Sequence, residues 1–483
     1  MGGLDDLSLI CVQLRDDACR LLTITGLGGV GKTRLALEAA NRLASAQTNE
    51  LIFGDGIYFV SLVGVVEEFA HAAEPTGHED ADVEVALMLA IANAMGYPVQ
   101  NQSNLKQQFL GFLRDKRLLL VLGSFEHLFS HADLVVNLLH NAPQLKLLIT
   151  SRVALRCQGE WLLRLEGLSV PAPTESVLPT SVISRSMPVD HGWQTHDACV
   201  LFLLLARQID LRFDVAKADA PSIVKICQLT EGLPLGIELA ASWLRVQDCA
   251  TIADQLQQAL DLPTQTQERS TRHRTLRAVF DHSWSLLDGA EQKLLKRLSI
   301  FAGTFAHSAA LEIGQTTPVQ LARLTSYSLL RTKEDARYEI HDLLRQYITE
   351  KRIETPALDA AVQQAHMVYY AGWIADYVAT WQKSFRTVTA STFQREFNNV
   401  QRAWHYAVET QQVGFLHQMA EPLMFCCNES SYNHYGDALL TEALTRLNPN
   451  VPIPSWQSYT CVADHSTPMQ IGTKTLRPIS KRP

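Results

Sequence analysis

Thr25-Gly-Leu-Gly-Gly-Val-Gly-Lys-Thr-Arg-Leu-Ala36 is the stretch on which the fold turns. Gly26 to Thr33 fits the spacing G-x-x-x-x-G-K-[ST], in which a glycine-rich turn joins a strand to a helix. The flanks supply both. Arg20-Leu-Leu-Thr-Ile-Thr25 is a short apolar strand, and Arg34-Leu-Ala-Leu-Glu-Ala-Ala40 reads as a helix. Gly26, Gly28, Gly29 and Gly31 let the backbone curl so that successive N–H groups meet phosphate oxygens, with Leu27, Val30 and Arg34 in the same cradle. The helix N-terminus adds partial positive charge. Lys32 is placed for the β- and γ-phosphates and Thr33 for Mg²⁺. The expected ligand is ATP or ADP.

Outward from the loop, strands alternate with helices as far as residue 168. Strands are expected at Leu21–Thr25, Ile57–Val63, Leu118–Leu122, Leu147–Thr150 and Leu162–Leu165, and helices near 33–46, 82–95, 104–114 and 126–140. This is the pattern of a parallel five-stranded α/β sheet over residues 1–168. Continuous apolar strands such as Leu118-Leu-Leu-Val-Leu122 imply burial on both faces. Residues 169–195 carry no period and read as a linker. A helical domain follows over 196–262. Residues 271–352 combine helices with two short strands, Leu329–Thr332 and Arg337–His341, in the manner of a winged helix. Residues 357–447 read as a helical, repeat-like region, with Tyr369, Tyr370, Trp373, Trp404 and Tyr406 expected to pack between helices. The proline-rich stretch 448–483 reads as a disordered tail.

The 483 residues allow about three domains. The formal charge of −8 and a pI near 6.1 exclude a globally basic nucleic-acid binder. The wing is only weakly basic, Arg331, Lys333 and Arg337 standing against Glu334 and Asp335, so direct DNA contact is not expected. Nine scattered cysteines without a C-x-x-C pair fit a reducing cytoplasm. No apolar run reaches the ~20 residues of a membrane span, and the acidic start Met1-Gly-Gly-Leu-Asp-Asp6 does not read as a signal peptide. His127 and His131 have i, i+4 spacing but no third ligand in sequence, and read as a polar helix face. The basic run Arg269, Arg272, His273, Arg274 and Arg277 reads as a solvated helix start.

The order of motifs resembles the NB-ARC-like branch of the STAND P-loop ATPases, especially the bacterial regulator-type ATPases. The resemblance covers roughly residues 2–450. It rests on the loop Gly26–Thr33, the second strand Gly54-Asp-Gly-Ile-Tyr-Phe-Val-Ser-Leu62, and Arg117-Leu-Leu-Leu-Val-Leu-Gly-Ser-Phe-Glu-His-Leu128 in the Walker B place. It rests also on Leu147-Leu-Ile-Thr-Ser-Arg152, Glu231-Gly-Leu-Pro-Leu-Gly-Ile-Glu-Leu239 and Ile340-His-Asp-Leu-Leu344. It implies that Arg152 senses the terminal phosphate, that Pro234 faces base and ribose, and that His341 touches the β-phosphate of ADP. It further implies an ARC-like helical domain, a winged helix, TPR-like C-terminal helices that meet protein partners, and assembly that depends on nucleotide.

One departure bears on the chemistry. The family's strand-end aspartate, which orders the Mg²⁺ shell, is Gly123 here, followed by Ser124. Glu126 and His127 match the pattern and are candidates to hold an attacking water, but they do not replace a metal anchor. Weak Mg²⁺ binding and weak or absent hydrolysis follow, and Ser124 is expected to leave room for a restored aspartate. Gly3 stands where the family has an arginine beside the adenine. The start at Met1 fits both a minimal switch and a shortened relative. The function expected is a cytoplasmic, nucleotide-dependent signalling switch. A working ATPase and a winged-helix transcriptional regulator are the alternatives.

Overall fold

The computed structural model describes residues 4–45, 52–62, 79–97, 105–172, 192–213, 219–261, 271–383, 390–430 and 432–447. The expected tail at 448–483, most of the expected linker (173–191), Gly3, Arg269 and the side chains of His127, Arg272 and His273 lie outside the described residues.

Five parallel strands form the first sheet: β1 (Leu21–Thr25), β2 (Gly56–Ser61), β3 (Leu118–Gly123), β4 (Lys146–Ser151) and β5 (Glu160–Arg164), in the order β2-β3-β4-β1-β5. Strand side chains alternate between faces, and both faces are covered. Leu22, Ile24, Leu119, Val121 and Leu148 pack under helices Leu4–Gln13 and Lys32–Ser45. Leu21, Leu118, Leu120, Leu122, Leu147 and Ile149 face the helices Glu79–Ala94, Leu105–Leu113 and Ala132–Asn141. This two-sided burial is why β3 and β4 are buried at every position. The helix expected near 126–140 is in two parts, a 3-10 stretch Phe125–His131 and the α-helix Ala132–Asn141. Leu128 breaks the helical angles between them.

Four helices, Asp197–Ile209, Ala220–Leu229, Pro234–Ser242 and Cys249–Asp261, pack beside this sheet. The described ends of the expected linker are tied to them. Asp197 N–H donates to Ser169 Oγ at 2.9 Å, and Trp193 is buried.

The next segment has the arrangement of a winged helix. Helices Thr271–Ser285, Gly289–Leu298, His307–Gly314 and Pro318–Ser326 surround an antiparallel sheet of β6 (Thr304–Ala306), β7 (Arg331–Thr332) and β8 (Arg337–Glu339), ordered β6-β8-β7. Asp288 caps Gly289–Leu298 through a reciprocal box with Glu291. The helix Asp342–Ile353 then leads to Pro356–Lys383, Ala390–Glu409, Val413–Glu429 and Asn433–Arg446. Tyr370 and Trp404 are fully buried between these helices, while Tyr369, Trp373 and Tyr406 pack at the margin. Among the described residues no helix is long and apolar enough to cross a membrane.

Candidate functional site

The loop leaves β1 at the carboxyl end of the sheet and enters the helix at Lys32. Gly31 holds φ +100°, open only to glycine without strain. Lys32 is 9% exposed, and its Nζ donates to the carbonyls of Gly26 and Leu27, both at 2.8 Å. Burial draws its pKa down to about 8, against the attraction of Glu126 and with the repulsion of Arg152.

A cavity of about 590 Å³ opens over the loop, within the size range of small-molecule sites. The sheet domain contributes Gly28, Gly29, Gly31, Lys32, Thr33, Arg34, Glu126 and Arg152 to its walls. Pro234 and Glu238 come from the helical domain, and Arg331, His341 and Leu343 from the winged helix. Gly26 and Leu27 do not line the cavity, their carbonyls instead holding Lys32, and Val30 is buried in the core.

Three contacts close the cavity. Leu343 packs so tightly on the loop that a Cβ at Gly28 would lie 2.6 Å from its Cδ1. Leu235 N–H points to the Gly29 carbonyl at 3.4 Å. Arg331 pairs with Glu238 at 2.5 Å, joining wing to helical domain.

His341 caps the helix Asp342–Ile353, its Nδ1 accepting the Leu343 N–H at 3.3 Å. Burial first, then the charge of Arg331, with smaller effects of Lys32 and Arg152, push its pKa down to about 4 despite Glu339. The ring is therefore neutral at pH 7, and with Nδ1 accepting, Nε2–H is its donor. Arg152 Nε is held by Glu126 Oε1 at 3.0 Å, and Glu126 Oε2 is buried without a hydrogen-bond partner. Ser124 takes a left-handed turn at φ +62°, and its N–H donates to Thr150 Oγ1 at 3.1 Å.

A scan of known protein families finds no match. Curated relatives are found at lower identity. A Mycobacterium tuberculosis protein bearing the name of an HTH-type transcriptional regulator is 29% identical over 416 residues, which are 84% of this chain and 41% of that protein. A second M. tuberculosis protein, uncharacterised, is 28% identical over 71% of this chain and 79% of its own length. The regulatory protein AfsR of Streptomyces coelicolor is 25% identical over 67% of this chain and 28% of its own. The chain thus spans well under two thirds of the named regulators it matches. Among solved structures, a STAND protein with a tetratricopeptide repeat sensor from Pyrococcus horikoshii gives a TM-score of 0.45 at 16% identity, covering 93% of this chain and 58% of that one. The ORC2 protein of Aeropyrum pernix gives 0.29 at 11%, covering 73% and 95%.

The fold is a P-loop α/β sheet followed by helical and winged-helix segments. The sheet order, the loop after β1, and the helical and winged-helix segments meeting over that loop carry this assignment.

Within that fold one detail differs from the expectation drawn from sequence. The space beside Gly123 is not open. A Cβ there would lie 3.2 Å from Cε2 and Cζ of Phe59, so a restored aspartate meets an aromatic ring rather than the room expected beside Ser124. Among the described residues no group of three or more His, Cys, Asp or Glu could hold a metal ion. Sequence reading also missed Glu238, Arg331 and Leu343 as site residues. Glu238 stands four residues after Pro234, one helical turn along the same face, a spacing that could have pointed to it.

Proposed function

We propose that the chain is a nucleotide-controlled switch that binds ADP or ATP in the cavity over Gly26–Thr33. The observation that carries this reading is the meeting of the phosphate loop, Pro234 and His341, from three segments, around one cavity. The cavity fits a nucleoside diphosphate in charge and size. Lys32, Arg34, Arg152 and Arg331 line it against Glu126, Glu238 and Asp342. In the bound state the loop's N–H groups and Lys32 hold the phosphates, and His341 Nε2–H donates to one of them as a neutral group. Thr33 is the protein's contact for Mg²⁺, and with Gly123 at the strand end no carboxylate orders the metal's shell. Binding is accordingly the principal activity, and hydrolysis is weak.

The moving part in this reading is larger than the C-terminal helices alone. Arg337 on β8 pairs with buried Glu396, which also accepts from the Tyr370 hydroxyl at 2.9 Å. Asn399 accepts from Ala302 N–H at 2.9 Å, and Arg402 donates to the Ile300 carbonyl at 2.8 Å. The winged helix and the helices after Pro356 therefore swing as one body when nucleotide exchange frees His341, Leu343 and Arg331 from the cavity. The names of the relatives suggest transcriptional control as the setting, and the weakly basic wing favours protein partners over direct DNA contact.

The test is the nucleotide that co-purifies. Acid-denatured wild-type protein should release ADP or ATP in near-stoichiometric amount, and Lys32→Ala protein should release little. Equal amounts from both would refute the reading.

A further inference from the structure

The opposite end of the sheet holds a second cavity, of about 370 Å³. It lies at the amino edge, where the strands begin, and not at the carboxyl edge that carries the phosphate loop. Arg20, Arg117 and Lys146 line it, and each stands immediately before or at the start of one of the adjacent strands β1, β3 and β4. Parallel register brings the three strand starts side by side, so the three cations converge because of the fold.

These cations are poorly compensated. Among the described residues none of the three has a carboxylate within ion-pair distance, while neighbouring Lys116 has Asp55 at 2.7 Å. Lys146 is 8% exposed, and its Nζ has a single acceptor, the Asp16 carbonyl at 2.5 Å. Arg20 is oriented by two carbonyls at the end of the helix Ala132–Asn141, Leu139 at 2.6 Å and Ala142 at 2.7 Å, and its Nε is buried with no acceptor. Arg117 is exposed at the mouth. Asp17 is the one carboxylate among the lining residues, so three cations against one carboxylate leave a formal charge of +2. Burial lowers the pKa of Lys146, and the charge of Arg117 lowers it further, while Asp17, Cys19 and Asp16 act the other way. A buried cation without a counter-charge is costly, and in a chain of net charge −8 this local excess is not a general property of the surface.

We infer that this cavity binds a small phosphate-bearing anion, held by Arg20, Arg117 and Lys146 and independent of the nucleotide site. The exposed guanidinium fork of Arg117, with the Lys146 ammonium and the positive charge of carbonyl-anchored Arg20 beside it, matches the several acceptor oxygens of a phosphate group better than the two of a carboxylate. The volume admits a phosphate monoester as well as the free ion. This inference does not depend on the switch reading.

The experiment is calorimetric titration of the full-length Lys32→Ala protein, in which the nucleotide loop is disabled, with inorganic phosphate, ribose 5-phosphate and acetate. Phosphate-group binding at one site per chain is expected. Arg117→Ala, at an exposed position, should weaken it at least about tenfold, the worth of one charge-assisted hydrogen bond. Lys146→Met, which removes a buried charge while keeping the side chain's length, should do the same. Tighter binding of ribose 5-phosphate than of inorganic phosphate assigns the site to a metabolite, and the reverse order assigns it to the free ion. Absence of heat with both phosphates, acetate binding as tightly as phosphate, or an affinity unchanged in Arg117→Ala would overturn the inference.

Discussion

At Lys32, burial works against the charge that phosphate binding needs. The protonated amine is the form that pairs with phosphate, and in the free protein it titrates at about 8. Affinity for ADP should therefore be constant below pH 8 and fall as pH rises through it, by about tenfold per pH unit. Titrations at pH 7, 8 and 9 in buffers of different ionisation heat would show proton uptake on binding at the two higher values. A flat profile would mean that the amine stays charged in the free protein. Gly123 sets the hydrolysis question at the same scale. Aspartate at this position requires the Phe59 ring, itself 39% exposed, to give by a few tenths of an ångström. Wild-type phosphate release should lie at the level of the Lys32→Ala blank. Gly123→Asp should gain little alone and distinctly more when combined with Phe59→Ala, which opens the space. Brisk wild-type turnover would show that Glu126 or another carboxylate serves in place of the missing one.

The helix Asp342–Ile353 sets its cap His341 in the cavity wall and packs its first-turn Leu343 against the loop. His341→Ala removes the donor and the cap but leaves the sheet core untouched. It should speed release of a fluorescent ADP analogue by at least about tenfold in stopped flow, the worth of one hydrogen bond to a charged group. An unchanged rate would reduce His341 to a capping residue. Elements of this size were also what the sequence revealed best. The strands β1, β3 and β4 were legible because burial on both faces makes them continuously apolar, and the loop residues because their spacing is chemically constrained. The short strand β6 was missed, since three residues leave no period to read. The contacts of Arg331 with Glu238 and of Leu343 with Gly28 were illegible for another reason. They join residues far apart in the chain, and nothing local to either partner records the meeting.

At the scale of the molecule, the Arg337–Glu396–Tyr370 cluster joins the winged helix to the helices that follow it. Glu396 is 3% exposed, so Glu396→Ala leaves Arg337 buried without its counter-charge, a loss of about 3–5 kcal/mol. Limited proteolysis should then cut between the two regions sooner than in wild type. The double variant Arg337→Met, Glu396→Leu should resist better than the single one, because it buries no unpaired charge. Equal protection of single variant and wild type would separate the two regions mechanically and return the swing to the C-terminal helices alone. All these motions matter only if nucleotide occupies the cavity over Gly26–Thr33. Calorimetric titration of ADP into nucleotide-stripped wild-type and Lys32→Ala proteins at pH 7 measures that claim directly. The account predicts one site with a Kd in the micromolar range or tighter for wild type, and a loss of about tenfold or more for Lys32→Ala. Equal affinities, or no binding to the folded wild-type chain, would contradict it.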